Sequence, residues 1–251
     1  MRTFLIASAA AAALVSIAGA AQAQVVGYAG ANYARTETEI AGFEGDSDVF
    51  QAEAAAAFDA GSFSALVDGS VADSDDAKPT FAATGHLNTD LGGARVGGFL
   101  GVQTNDGDTV WAVGAEGQAD LAPSTVLYGQ LGYGKSDDLD LDGFAGRVEL
   151  RQYVTDTFRL TGSVGYVAAD QDVLGDIDGW NLGAEAEYQF ANSPLSAFAG
   201  YQRTDFNDFD LESDTFRVGV RFTFGGTTLR GRDAAGAQLG SITKLFGGLA
   251  N

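Results

Sequence analysis

Thr215-Phe216-Arg217-Val218-Gly219-Val220-Arg221-Phe222-Thr223-Phe224 is the stretch that decides the fold. Phe216, Val218, Val220, Phe222 and Phe224 are apolar, with aromatic rings at both ends; Arg217, Gly219, Arg221 and Thr223 between them are polar or small. Side chains of a strand alternate between two faces, so this segment has one apolar face and one charged face. The pattern recurs upstream. Phe50, Ala52, Ala54, Ala56 and Phe58 alternate with Gln51, Glu53, Ala55 and Ala57. Trp180, Leu182, Ala184, Ala186, Tyr188 and Phe190 alternate with Asn181, Gly183, Glu185, Glu187 and Gln189.

Extended over the chain, this reading gives twelve segments of about ten residues. They are 25–34, 49–58, 63–71, 80–89, 94–104, 109–120, 125–134, 143–153, 158–168, 179–190, 195–203 and 213–224. Ten strands is the fallback, since 25–34 and 125–134 alternate least clearly. Five connections are tight turns, at Asp59–Ser62, Asp90–Gly93, Leu121–Ser124, Val154–Thr157 and Ala191–Pro194. The other six, at 35–48, 72–79, 105–108, 135–142, 169–178 and 204–212, hold 22 of the 34 acidic residues and 3 basic ones. These read as acidic loops. No domain boundary interrupts the series. A propeller would show a recurring blade motif, and none is present. A soluble sandwich would expose a charged face, whereas here the outer face ends in aromatics at both ends of several strands.

The ends of the chain narrow the class. Met1-Arg2, the apolar run Phe4 to Val15 and Ala21-Gln22-Ala23 form a secretory signal peptide with its cleavage site. Cleavage after Ala23 leaves 228 of the 251 residues and takes the formal net charge from −20 to −21, because Arg2 is the one charge removed. Such a balance argues against nucleic acid as a partner. The absence of Cys removes disulfides, thiol chemistry and a lipid-anchored cysteine. No later apolar run is long enough for a transmembrane helix. With 45% hydrophobic and 11% aromatic residues the chain is not an acidic disordered one.

These residues together resemble the porin-like outer-membrane β-barrels of Gram-negative bacteria. The resemblance covers 25–224 and rests on the signal peptide, the two-residue period, the alternation of short turns with acidic connections, and the aromatic girdles. Residues 215–224 look like the family's assembly signal, with Phe222 and Phe224 as its aromatic end. The departure is Gly225–Asn251, which follows where the family usually stops. The resemblance implies an all-β, antiparallel transmembrane barrel (24–224) after a signal peptide (1–23), with a C-terminal periplasmic tail (225–251). An even strand number puts both termini and the tight turns on the periplasmic side, the acidic loops outside. It also implies contact with outer-membrane lipid and lipopolysaccharide, help from the barrel-assembly machinery during insertion, and passage of small hydrophilic solutes. No loop exceeds fourteen residues, so a monomer is expected over a trimer.

Candidate chemistry is sparse, and no enzymatic activity or cofactor is expected. His86 is the one histidine. Outer-membrane phospholipases use a His-x-Ser pair, but position 88 is Asn; the aspartic-type proteases need an Asp-His dyad, and no Asp lies two residues away. A lone lumen histidine is the simpler reading. Asp138-x-Asp140-x-Asp142-Gly143 with Glu149 at the twelfth place matches an EF-hand loop. Yet 143–153 reads as a strand, Leu139 and Leu141 intervene and no helix pattern flanks it, so these acids are only weak metal candidates. Asp precedes an aromatic by two or three residues at Asp48, Asp108, Asp142, Asp178 and Asp214, which reads as anchoring at the membrane interface.

The inner face carries the informative charges. Parity points Arg95, Arg147, Arg151, Arg159, Arg217 and Arg221 inward, with Glu53, Asp68, Glu116, Asp120, Glu149, Glu185 and Glu187. A charge facing lipid at mid-depth costs about 2–4 kcal/mol, which fits their restriction to one parity. Strand direction brings Arg95, Arg151, Arg159, Glu187 and Arg221 to one depth in the periplasmic half. They either form a selective constriction or pair across the lumen and close it. Mixed signs argue against a pore for acidic oligosaccharides, and the acidic mouth implies a mild cation preference. In the tail, Arg230-Gly231-Arg232 precedes a short amphipathic face of Leu239, Ile242 and Phe246. It could plug the lumen or rest against the barrel's base, but terminal segments are commonly mobile, so disorder is the expectation.

Overall fold

The computed structural model describes residues 25–246 except 60, 75–76, 173–174, 208–210 and 227. The export signal and its cleavage site lie outside the described residues. Twelve strands follow one another: β1 (Val26–Ile40), β2 (Phe43–Asp59), β3 (Ser64–Ser74), β4 (Thr80–Asp90), β5 (Ala94–Asn105) and β6 (Asp108–Ala122). The series continues with β7 (Thr125–Ser136), β8 (Leu141–Thr155), β9 (Phe158–Gln171), β10 (Gly175–Gln189), β11 (Leu195–Phe206) and β12 (Leu211–Phe224). Each pairs antiparallel with its neighbour, and β12 returns to β1, so the sheet is a closed barrel. The closing seam runs from Gly27 opposite Phe224 to Ile40 opposite Leu211. Closure leaves no unpaired edge, which is what lets strands cross a bilayer.

Parity then sorts the side chains. Phe50, Leu100, Leu131, Phe144, Phe216 and Val218 point outward and are all more than half exposed. An apolar surface this continuous is a lipid-facing belt. At the end away from the tight turns the belt is rimmed by cross-strand aromatic pairs. Tyr33 packs on Phe50 and Tyr133 on Phe144, each with ring centroids 5.2 Å apart, and Tyr201 packs on Phe216 at 4.9 Å. The tyrosine hydroxyls donate to the recurring aspartates: Tyr33 to Asp48 (2.6 Å), Tyr133 to Asp142 (3.1 Å), Tyr166 to Asp178 (3.3 Å) and Tyr201 to Asp214 (2.5 Å). Each Asp sits two residues before the aromatic of a descending strand and satisfies the phenol of the strand beside it.

Two expectations need correction. The acidic connections are mostly strand. β1 and β2 meet at Ala41-Gly42 (φ 50° and 83°), and β5 and β6 at Asp106-Gly107 (φ 51° and 102°), two-residue turns with both residues left-handed. Beyond the lipid both faces of a hairpin are wet, so the apolar alternation disappears while the pairing continues.

The second correction concerns the segment after β12, for which disorder is the expectation over a lumen plug or a rest against the barrel's base. Gly225 (φ +69°) turns the chain inward; a Cβ there would lie 1.8 Å from the Val25 carbonyl oxygen. Thr228 caps a short helix α1 (Leu229–Ala234), its hydroxyl accepting from the Gly231 amide at 3.0 Å. A second turn of helix, α2 (Ile242–Phe246), packs against β4, β5, β7 and β8. Residues 228–246 therefore run up the lumen from the tight-turn end. Order follows because the segment finds both ionic and apolar partners there, which a free terminus lacks.

Candidate functional site

Near the tight-turn end the inner faces of β8, β9, β10 and β12 converge on one ionic layer. Glu187 is fully buried and accepts from Arg159 (2.8 Å) and Arg221 (3.0 Å) on the wall. From α1, the Arg232 guanidinium reaches both Glu187 oxygens at 2.8 Å and donates to Thr223 at 3.0 Å. Glu185 holds Arg159, Arg217 and Arg221 at 3.0–3.1 Å, and Glu53 holds Arg221 at 2.7 Å. Glu149 bridges Arg147 (3.0 Å) and Arg151 (2.8 Å). Arg151 also donates to Asp233 of α1 at 2.7 Å, whose second oxygen accepts from Tyr153 at 2.6 Å. Arg159 further bonds the Gln238 side chain. Rings cover the guanidinium faces: Arg221 lies 3.7 Å from the Phe198 centroid and Arg232 4.9 Å from Tyr28. Arg217 apart, water barely reaches these groups, and charges so deep persist only because each is paired.

Of the residues placed at one depth by strand direction, Arg151, Arg159, Glu187 and Arg221 share this layer. Arg95 stands apart, its Nη2 on the Ala234 carbonyl (3.1 Å) and its Nε facing Asp90 at 3.3 Å. Asp120 lies at the rim and pairs with Arg230 at 3.0 Å. Sequence reasoning gave the wall residues their face but missed Arg232, Asp233 and Gln238, which complete the layer. Their one signal was a charged Arg-Gly-Arg-Asp run after the last strand.

A second polar cluster surrounds His86. Its Nε2 faces Asp68 of β3 at 2.9 Å and its Nδ1 faces Glu116 of β6 at 2.9 Å. Glu116 also accepts from Asn88 (2.9 Å) and Tyr128 (2.7 Å), and the Tyr128 oxygen accepts from the Gly240 amide of the tail at 2.9 Å. The lone histidine thus has a carboxylate on each ring nitrogen, supplied by other strands rather than by neighbours in sequence. Both nitrogens are committed, which leaves neither to activate a water or hydroxyl as a general base must. The cluster ties the wall to the tail.

Towards the opposite end the lumen is apolar. Ile242, Leu245 and Phe246 are buried against Phe99, Ala112, Ala145, Val167, Ile177 and Phe206. Three glycines form the socket. A Cβ on Gly101 would meet Ile242 at 2.9 Å, one on Gly132 would meet Leu245 at 3.0 Å, and one on Gly134 would meet Phe246 at 2.8 Å. Each such side chain contributes about 1.5–3 kcal/mol when buried. The glycines leave space in the wall, and the tail fills it.

The other candidates are placed differently. Asp138 accepts from the Thr109 amide (3.1 Å), Asp142 faces outward to Tyr133, and Glu149 faces the lumen, so the EF-hand pattern is divided between the two faces of one hairpin. Among the described residues no group of three His, Asp or Glu could hold a metal ion. Phe222 points to lipid, and Phe224 lies across Gly27 at the closing seam.

No family model and no curated protein matches the sequence. Solved structures do match. The COG4313 outer membrane channel from Pseudomonas putida F1 aligns with TM-score 0.65 and 9% identity, over 79% of this chain and 95% of that one. The KdgM porin in complex with disordered oligogalacturonate aligns at 0.54 and 8%, over 78% and 99%. The translocator domain of the autotransporter NalP from Neisseria meningitidis aligns at 0.53 and 15%, over 88% and 98%. At these identities the likeness shows the fold. It is that of an outer-membrane β-barrel, the architecture to which the lipid belt and the closed sheet already point.

Proposed function

We propose that this barrel is a non-enzymatic, porin-like channel for small hydrophilic solutes, held shut by residues 228–246. One observation carries the reading: a tethered terminal segment lies in the lumen, its Arg232 and Asp233 paired with the wall and its Ile242 and Phe246 packed against it. The attachment is a single glycine turn at Gly225, and every remaining contact of the segment is non-covalent. Displacing it leaves a wall that is mixed in charge near the tight turns and apolar around Phe99, Val167, Ile177 and Phe206, through which water and small solutes can pass. The names of the COG4313 channel and the KdgM porin support the same class.

The acidic hairpins lie at the end opposite the tight turns, which we assign to the outside. Their charge concentrates cations at the mouth, an effect that fades as ionic strength rises. Lipid and lipopolysaccharide surround the belt, the barrel-assembly machinery recognises Phe222 and Phe224, and the barrel works as a monomer. A second reading is a closed structural barrel. It is favoured by the fit of Ile242, Leu245 and Phe246 to their glycine notches, and by the burial of Arg232 and Asp233. Planar-bilayer recording separates the two. The channel reading expects a mostly closed protein with discrete openings that become frequent when the tail is loosened. The structural reading expects no openings in either form.

A further inference from the structure

Beside the tail, on its β8–β12 side, the lumen keeps a small polar chamber. Lys244 of α2 faces it together with Arg147, Arg159, Thr161, Gln202 and Arg217. Its carboxylates are already committed: Glu149 to Arg147 and Arg151, Glu185 to Arg159, Arg217 and Arg221. The uncommitted groups are mostly donors. Arg159 is 4% exposed, and its Nε has no partner. The Thr161 hydroxyl is buried without one. Lys244, the one lysine of the tail, makes no ion pair within 4 Å among the described residues, although Glu149, Glu53 and Glu185 lie near enough to attract it.

Charge points the same way. The chamber's lining holds Arg147, Arg151, Arg159, Arg217 and Lys244 against Glu149 and Glu185. Five cations against two carboxylates make this wall positive inside a protein whose net charge is −20. Uncompensated buried charge is unfavourable, and surplus donors call for an acceptor. The space suits one small ion rather than a sugar or a nucleotide.

We propose that this chamber binds a single halide-sized inorganic anion, which bridges Lys244 on the tail to Arg147 and Arg217 on the wall. The anion is a third fastening of the tail, beside the ionic layer and the apolar socket. It stands whether or not the barrel conducts.

The test uses the full-length protein with bromide as the probe. Crystals soaked in sodium bromide should show an anomalous peak within hydrogen-bonding reach of Lys244 Nζ, and Lys244→Met should remove it while the tail stays seated. In solution, tryptic cleavage after Arg232 should be about tenfold slower in sodium bromide than in sodium gluconate of equal ionic strength, for an anion present at about ten times its Kd. In Lys244→Met the two rates should coincide. Bromide bound elsewhere on the molecule but not in the chamber would overturn the proposal. So would wild-type cleavage rates equal in the two salts, or a chamber peak that persists unchanged in Lys244→Met.

Discussion

Arg232→Met removes the strongest single fastening between tail and wall without altering any strand. The Arg232 guanidinium makes two 2.8 Å bonds to Glu187 and one 3.0 Å bond to Thr223, and both partners of the ion pair are fully buried. Glu187 keeps Arg159 and Arg221, so the wall is not left with a bare charge. Losing one member of a buried pair costs about 3–5 kcal/mol, and the retained arginines place this case near the lower end. At about 1.4 kcal/mol per decade, the ratio of seated to unseated tail falls by about a hundredfold or more. Methionine preserves much of the side chain's bulk and its contact with Tyr28, so the effect is electrostatic rather than a cavity. In planar bilayers the variant should open far more often than wild type at the same unit conductance. An Arg232→Met barrel that is folded, carries its lipid belt and stays as closed as wild type would refute the tail as gate.

Other perturbations read other parts of the structure. Gly134→Val places a branched side chain where Cβ alone would stand 2.8 Å from Phe246, so tryptic release of the tail should accelerate in membranes while the barrel remains intact; an unchanged rate would mean the notch does not seat α2. His86→Leu strips Asp68 and Glu116 of their shared partner and should cost about 3–5 kcal/mol, read as a lower unfolding temperature. Adding Asp68→Asn and Glu116→Gln should recover part of the loss, and no recovery would show that the histidine's packing, not its pairing, matters. Neutralising Asp137, Asp140 and Asp172 to Asn at the outer hairpins should shift the reversal potential in a KCl gradient away from cations at low salt. The shift should vanish near 1 M salt, where the Debye length is about 3 Å; a shift that survives there would place selectivity inside the lumen.

Parity made the strands legible. From Phe216 to Phe224 each residue is on the face its position demands, and the same holds for Arg147, Glu149 and Arg151. A period of two fixes the face but not the partner, because sliding a strand by two residues keeps the pattern and changes every cross-strand neighbour. That is why His86 could be assigned to the lumen while Asp68 and Glu116 could not be assigned to it. The hairpin extensions were hidden for a different reason: with water on both faces, Glu37, Glu39, Glu44 and Asp46 need no alternation to pair as strand. The tail was the least legible. A five-residue helix such as Ile242–Phe246 has no stability of its own, and only the socket made by Gly101, Gly132 and Gly134 on distant strands gives it a place.

The most direct test of the tail as gate is a reversible lock. The chain has no Cys, and a Cβ on Gly101 lies 2.9 Å from that of Ile242, so Gly101→Cys with Ile242→Cys needs only a small adjustment to reach disulfide geometry. Placed on the Arg232→Met background, the pair should cross-link under oxidation, and the same bilayer channel should be silent when oxidised and open when reduced. Equal conductance in the oxidised and reduced states, with the cross-link verified in the folded barrel, would contradict the account.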